Sequence, residues 1–503
     1  MSGRDGSGPV SGPHAASAAS PVRPGPLCRR VADLCGSIGF REPHLNDQLK
    51  SLLRALDEPL RVAFAGRVSL GKSTLVNALL RAPVAPTGDR ETTRVVTRFE
   101  AWDYENVELA LRDGSTRQAF LTPEGVLPPG YPIAIEQLRE VRVRLPYAPL
   151  LRRVTIIDTP GLESLNEEAS NRTSESLFSR DSRDAIADAD ALVYLLRVDS
   201  EGDAAAVAAF NELTAVDLCA LNAVGVLNCK AEGSVADVDR IARRLKNESA
   251  FRNRVADVIP VAGLLALTAG SALLNDRDMA HLRSLANHDE DDLLIDVEYF
   301  LEAPGEVAQQ DRQRLLDLLG FTGFRTALRT IRSAQGDVGQ FNAALLAESG
   351  LPRLLAVIDG TFANCADQIK AGQTLVAVAR LSYQTDSDEG RRARVLIETL
   401  RADPAMHGIQ ELWALQRCGR QDLDLPEWIV TELARVSSGA TASAKLGLPD
   451  EASSEEIRQA AQDGAARAHS YAASLSITRP EARIAETLRR SYTNICREAE
   501  TLP

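Results

Sequence analysis

The sequence predicts an α/β P-loop domain with a mostly parallel sheet, followed by an all-α helical-bundle stalk. Three observations carry this. Short, branched apolar runs alternate with helical segments between Arg61 and Gly270, the pattern of a mostly parallel sheet covered on both faces. A glycine loop, Gly66-Arg-Val-Ser-Leu-Gly71-Lys72-Ser73-Thr74, sits between one such run and a helical segment, the context a phosphate loop requires. From about residue 271 the apolar period is helical and stays so.

In chain order, residues 1–26 are Ser, Gly, Pro and Ala with almost no large apolar side chains. Such a stretch cannot repay the entropy of ordering, so a disordered tail is expected. Residues 27–57 read as helix in two pieces around Pro43, with Leu45, Leu49, Leu52, Leu53 and Leu56 on one face. A complete apolar stripe ahead of the sheet needs a partner later in the chain. It is read as a neck packing with the C-terminal bundle; the simpler alternative is a helix on the flank of the α/β domain.

The α/β domain is expected over residues 58–270. Its strands are read at 62–65, 95–99, 107–111, 154–157, 191–196, 224–227 and 258–261, and its helices at 75–80, 204–218 and 235–246. In such sheets ligands bind at the carboxyl ends of the strands. Gly66 and Gly71 let backbone N–H groups turn inward around a phosphate, and the helix opening at Lys72-Ser73-Thr74 adds its positive end. Lys72 would reach the β- and γ-phosphates and the Ser73 hydroxyl would ligate Mg²⁺. Asp158-Thr-Pro-Gly161 follows the strand at 154–157. Asp158 can hold Mg²⁺ through water, and the Gly161 N–H can sense a γ-phosphate. Between the two motifs lies Thr87-Gly-Asp-Arg-Glu-Thr92-Thr93.

The base-reading segment follows the strand at 224–227. The usual [NT]-K-x-D has its Asp accept two hydrogen bonds from guanine and its Lys pack over the ring. Here the residues are Asn228-Cys-Lys230-Ala-Glu232. One register aligns Asn228 to Ala231; the other aligns Cys229 to Glu232, with a Glu in place of the Asp. Asn228 and Lys230 are the base-side candidates, and loss of the bidentate Asp weakens discrimination between bases.

GRVSLGKST, ETTRVVT and IIDTPG, with the long gap from Lys72 to Asp158, resemble the dynamin superfamily. IPVAGLLALTAG (259–270), LLDLLGFTGFRTAL (315–328) and SGLPRLLAVIDGTF (349–362) are similar to the actinobacterial dynamin-like proteins of the isoniazid-inducible group. The resemblance covers most of residues 45–450. It implies a GTPase (G) domain on a helical stalk, GTP and Mg²⁺ as ligands, attack by a positioned water, nucleotide-dependent assembly and membrane remodelling. Assembly would be homo-oligomeric or with a related dynamin-like protein. It further implies Mg²⁺ ligation by a loop threonine, for which Thr93 is chosen and Thr92 is second, beside Ser73 and Asp158. Ser69 matches the superfamily's phosphate-loop serine, giving Lys72, Ser69 and Thr93 as catalytic candidates. Val68 stands where animal dynamins carry a glutamine. With the altered base segment, this motivates an alternative: a hydrolysis-weak nucleotide-binding partner of a related dynamin-like protein.

A net charge of −13 argues against broad nucleic-acid binding, and no nucleic-acid partner is expected. The seven cysteines are dispersed without a CxxC pair, which reads as reduced thiols in a cytosolic protein. No apolar run reaches the roughly 18 residues of a membrane helix, and no signal-peptide core is present. A cytoplasmic location follows, with any membrane contact peripheral, at the inner face of the plasma membrane.

In the stalk, residues 271–503, one apolar stripe runs from Leu354 to Ile369; a single helix from Leu354 to Tyr383 would span about 45 Å, with Gly360 and Gly372 as bend points. An LLxxxG echo recurs at Leu315 and Leu345. The acidic loop 384–390 predicts a hairpin turn, followed by Arg391, Arg392 and Arg394, and Ser453 with Glu456 predicts a capping box.

Overall fold

A computed structural model describes residues 24–500, apart from 67–69, 88–94, 129, 132, 147, 161–184, 197–217, 229–234, 249–250, 289–292, 295–296, 303–304, 334–335 and 420–422. The expected helix at 204–218 therefore lies almost wholly outside the described residues, as do residues 1–23 of the expected tail.

The strands are β1 (Leu60–Gly66), β2 (Val96–Ala101), β3 (Asn106–Leu111), β4 (Thr116–Ala119), β5 (Leu138–Leu145), β6 (Val154–Asp158), β7 (Ala191–Leu196), β8 (Ala223–Asn228) and β9 (Val258–Val261). They form one nine-stranded sheet in the order β4-β3-β5-β2-β6-β1-β7-β8-β9. β1 lies between β6 and β7 and is parallel to both. β2 is antiparallel to β6, with Thr97 opposite Asp158, so β2 begins at the end of the sheet where β6 finishes. The central strands are buried on both faces, as continuous apolar runs demand.

Two strands, β4 and β5, go beyond the sequence expectation. β4 is a short, exposed polar edge. β5 reads Leu-Arg-Glu-Val-Arg-Val-Arg-Leu, and its charges form a ladder across the sheet rather than a solvated loop. Glu140 accepts from Arg98 at 2.6 Å and from Arg142 at 2.7 Å, Arg142 reaches Glu108 at 3.3 Å, and Arg144 reaches Glu100 at 3.4 Å. Burial opposes the charge on Glu140, but Arg98 and Arg142 outweigh it and hold its carboxyl below the ordinary value of 4.5. A carboxyl lowered by folding adds stability that is full above its unfolded pKa and is lost as pH falls through the folded one. Glu140→Gln is expected to cost about 3 kcal/mol at neutral pH, the range for breaking a buried pair. Urea unfolding at neutral pH and in acid checks this: the gap between wild type and variant closes only below the ordinary carboxylate range.

The helical half begins within the sheet domain's own packing. α1 (Pro26–Gly36), α2 (Pro43–Asp57), α3 (Lys72–Leu80), α4 (Val235–Asn247) and α5 (Gly263–Gly270) are followed by α6 (Asp276–Leu285), α7 (Val297–Glu302), α8 (Gln309–Ser333) and α9 (Val338–Glu348). α6 to α9 surround an apolar cluster with Phe300, Phe324, Leu328 and Phe341 at its centre. Beyond them come α10 (Leu351–Val357), α11 (Ala366–Ser382), α12 (Asp388–Ala402), α13 (His407–Cys418), α14 (Glu427–Ser438), α15 (Ala442–Leu446), α16 (Ser454–Ala472) and α17 (Arg479–Glu500). One apolar core runs without a gap from Val62, Phe64 and Leu195 of the sheet to Leu354, Phe362, Leu412 and Leu488 of the helices.

α1 and α2 pack on α11: Val31, Leu45 and Leu49 share a cluster with Leu375, Val378 and Ile409. The Asp367 carboxylate accepts the backbone N–H groups of Leu27 and Cys28, both at 2.9 Å, and so caps α1.

The long helix from Leu354 to Tyr383 is not formed. α10 passes into a π turn at Ile358–Phe362, and α11 starts afresh at Ala366. Gly360 lies in that turn, where the Asn364 amide takes its carbonyl at 2.6 Å. Gly372 sits inside α11 and does not bend it; a β-carbon there would approach Leu412 to 3.0 Å, so glycine serves close packing against α13. Both glycines of the LLxxxG echo break a helix at positive φ, Gly320 at 66° and Gly350 at 78°, which only glycine adopts cheaply.

The capping box at Ser453 and Glu456 opens α16. Among Arg391, Arg392 and Arg394, Arg391 pairs with Asp388, while Arg394 donates to the Ser382 carbonyl and lies over the Tyr383 ring. Six of the seven cysteines are described and free; burial pushes the thiols of Cys35, Cys219, Cys365 and Cys418 up to about 12. Among the described residues no single helix is long and apolar enough to cross a membrane. α9 and residues 351–362 pass by length and composition only as a pair bent by 60°, and Phe341, Leu345, Leu354 and Phe362 of that pair are buried in the core.

Candidate nucleotide site

The candidate site forms where β1 gives way to α3 at the centre of the sheet. Gly66 closes β1 at φ 155°, and a β-carbon there would meet the Leu195 carbonyl oxygen at 2.9 Å. Glycine is therefore fixed by the tight approach of β7. Gly71 precedes α3 in the left-handed conformation, φ 81° and ψ 28°. These two glycines bracket the loop and leave the amide end of α3 facing it.

Lys72 is 6% exposed, and its Nζ donates to the Gly66 carbonyl at 3.3 Å. The ammonium thus spans the loop from its last residue back to its first glycine. The next residue, Ser73, donates its hydroxyl to Asp158 Oδ2 at 2.8 Å. Asp158 is 1% exposed at the carboxyl end of β6, in register with Phe64 of β1. Thr159 then donates its hydroxyl to the Phe64 carbonyl at 2.8 Å, pinning the start of the DTPG turn to β1. Thr74 is the third residue of α3.

Asn228 ends β8, and its side-chain amide donates to the Leu70 carbonyl in the phosphate loop. The base-side strand and the phosphate loop are therefore tied together directly. A second asparagine, Asn77, holds the chain that leaves α3: it donates to the Ala85 carbonyl at 2.8 Å and accepts from the Ala85 N–H at 2.7 Å.

Gly66, Gly71, Lys72, Ser73, Thr74, Asp158 and Asn228 thus gather at one end of the central strands. Ser69, Thr92, Thr93, Gly161 and Lys230 lie outside the described residues, as does Val68. Sequence reasoning missed the roles of Asn77, Thr159 and the Asn228 tether. Asn77 left a readable signal, a lone amide in the run Leu-Val-Asn-Ala-Leu-Leu, because a buried polar group must find a partner.

Asn228→Ala removes the tether and is expected to weaken nucleotide binding about tenfold, the equivalent of one hydrogen bond near 1.4 kcal/mol. Titration of a fluorescent guanine nucleotide measures it; affinity equal to wild type would show that the tether does not shape the loop.

Residues 62–228 match the Dynamin family model. Over 428 residues the chain is 33% identical to the isoniazid-induced protein IniC of Mycobacterium tuberculosis, spanning 82% of this chain and 85% of that one. This chain is a bacterial dynamin-like GTPase. The GTPase is also 26% identical to dynamin-like protein 2 of Campylobacter jejuni, over 43% of its own length and 34% of the relative's. A solved structure of an oligomerised bacterial dynamin pair aligns with 94% of the GTPase and 90% of its own chain, at 14% identity and a TM-score of 0.33, a likeness too distant to bear on function. In the dynamin-like GTPase the segment between β1 and α3 is the candidate nucleotide-binding loop.

Proposed function

We propose that this GTPase binds GTP with Mg²⁺ and couples its hydrolysis to self-assembly, or to assembly with a related dynamin-like chain, at the cytoplasmic face of a membrane. One observation carries the coupling. β1 bears the phosphate loop at Gly66, and its foot at Arg61 is held by Asp190, whose carbonyl accepts from Gln373 of α11 at 3.1 Å. A single strand links the phosphate end of the sheet to the helices that would respond.

The donor set fits Mg²⁺: the Ser73 hydroxyl and the Asp158 carboxylate are hard oxygen ligands 2.8 Å apart beside Lys72. Thr93 completes the set in this reading, and the bound ion would neutralise charge on the β- and γ-phosphates. Lys72 would hold those phosphates. Ser69 is the loop's catalytic serine in this reading, backbone groups or a partner chain would position the attacking water, the Gly161 N–H would meet the γ-phosphate, and Lys230 would pack over the base.

Val68 and the altered segment 228–232 favour a second reading, in which nucleotide sets conformation, turnover is slow and the chain assembles mainly with a related partner. Light scattering and sedimentation with GDP and with a non-hydrolysable GTP analogue, with and without liposomes, test both. The first reading predicts larger species and liposome pelleting with the analogue alone. One unchanged species in every nucleotide state sinks it, and assembly only after a related chain is added favours the second.

A further inference from the structure

The break between α10 and α11 carries hydrogen bonds that a plain helix would not make. The Ala363 N–H donates to the Ile358 carbonyl, five residues back, at 3.0 Å. In an α-helix it would take the carbonyl of Asp359, four back. The Asp359 carbonyl accepts instead from Arg153 Nη1 at 3.2 Å. The next carbonyl, that of Gly360, accepts from the Asn364 side-chain amide at 2.6 Å.

Arg153 comes from the sheet, not from the helices. It immediately precedes β6, whose far end is Asp158. Its guanidinium also donates to the Asp359 carboxylate at 2.6 Å and to the Asn364 side-chain oxygen at 2.7 Å. One planar fork at the foot of the sheet therefore grips three acceptors of the break. The Arg153 and Asp359 side chains are 43% and 49% exposed, so water can take over these bonds and the grip is releasable. The turn also has room: a β-carbon on Gly360 would meet nothing within 4 Å. Side chains that enter a helical ladder bend it, and π turns inside helices recur at functional sites.

The other end of α10 is fixed at the nucleotide end of the sheet. The Ser349 carbonyl accepts from the Ala262 N–H, just past β9, at 2.9 Å. Gly350 lies so close to β9 that a β-carbon there would collide with the Pro260 carbonyl. β9 pairs with β8, with Val261 opposite Asn228, the residue tied to the phosphate loop. α10, about 10 Å long, runs from that end of the sheet to the turn that Arg153 grips.

We propose that Arg153 is a latch on a hinge between the GTPase sheet and the stalk helices. It holds the π turn and so sets the direction in which α11 leaves the sheet. Nucleotide in the loop acts on this latch through β9 and α10 on one side and through β6 on the other. The proposal rests on the coupling proposed above and gives it a releasable part.

Hydrogen–deuterium exchange of the dilute, unassembled full chain tests it, with Mg²⁺ and either GDP or a non-hydrolysable GTP analogue. Protection of peptides over residues 62–80 shows that each nucleotide is bound. In wild type, amides 359–366 are expected to exchange at rates at least threefold apart in the two states. In Arg153→Gln they exchange fast in both, with nucleotide affinity unchanged. A merely structural arginine would raise exchange but leave the difference between states, so loss of that difference decides. Asp359→Asn, which removes only the carboxylate, repeats the comparison if Arg153→Gln does not fold. The proposal is overturned if wild type exchanges alike in both states over 359–366, or if the variant keeps the difference. No arm needs assembly, a membrane or turnover, so a chain that never assembles can still show the latch.

Discussion

Lys72→Ala lowers GTP turnover by about 10²–10³-fold, the loss seen when one preorganised donor is removed from a developing oxyanion. The size follows from the geometry. The Lys72 ammonium is nearly buried and reaches back across the loop to the Gly66 carbonyl. Its charge therefore acts in a low dielectric, where it is worth far more than in water. Phosphoryl transfer rests almost entirely on positioning and charge stabilisation, and among the described residues of this loop Lys72 alone carries a charge. Ser73 donates to Asp158 and carries no charge. Lys72→Arg keeps the charge, but its planar fork does not fit the same span, and it recovers only part of the rate. Phosphate release measured at saturating GTP checks both variants, with unfolding curves to show that the fold is kept. Turnover equal to wild type in Lys72→Ala would remove the P-loop from the chemistry.

Asp190→Ala destabilises the fold by about 3–5 kcal/mol, the cost of leaving a buried charge without its partner. The carboxylate takes three hydrogen bonds from Arg61, and its own backbone carbonyl accepts from Gln373 and Asn222. With the carboxylate gone, the Arg61 guanidinium is left close enough to feel the charge of Lys370, a second cation. A double-mutant cycle separates the pair from the residues. Arg61→Met in the Asp190→Leu background recovers much of the loss, because an apolar pair needs no solvation. Denaturant unfolding of the four proteins gives the coupling; additive effects would mean that the two side chains do not depend on each other.

The sheet was legible where strands are branched apolar runs with polar ends. Ala191–Leu196 and Val258–Val261 stand where the residues predict them. β5 was hidden because alternating Arg and Val resembles a solvated stretch until Glu100, Glu108 and Glu140 arrive from other strands and from β5 itself. β4 has no apolar face to betray it. The helix expected after Leu354 is broken by a π turn at Ile358–Phe362, where the Asn364 amide donates to the Gly360 carbonyl, and periodicity does not report such a turn. At the site, Gly66, Gly71, Lys72, Ser73 and Asp158 were legible because phosphate chemistry fixes residue type and spacing together. The Asn228 tether was not, since it joins residues that only the sheet order brings close.

The most direct test is steady-state hydrolysis of GTP and ATP by the full chain, side by side, with Mg²⁺ and with a chelator. The account predicts Mg²⁺-dependent release of phosphate from GTP, well above the Lys72→Ala background, and slower release from ATP. GTP turnover no faster than that background, with or without liposomes, would contradict it.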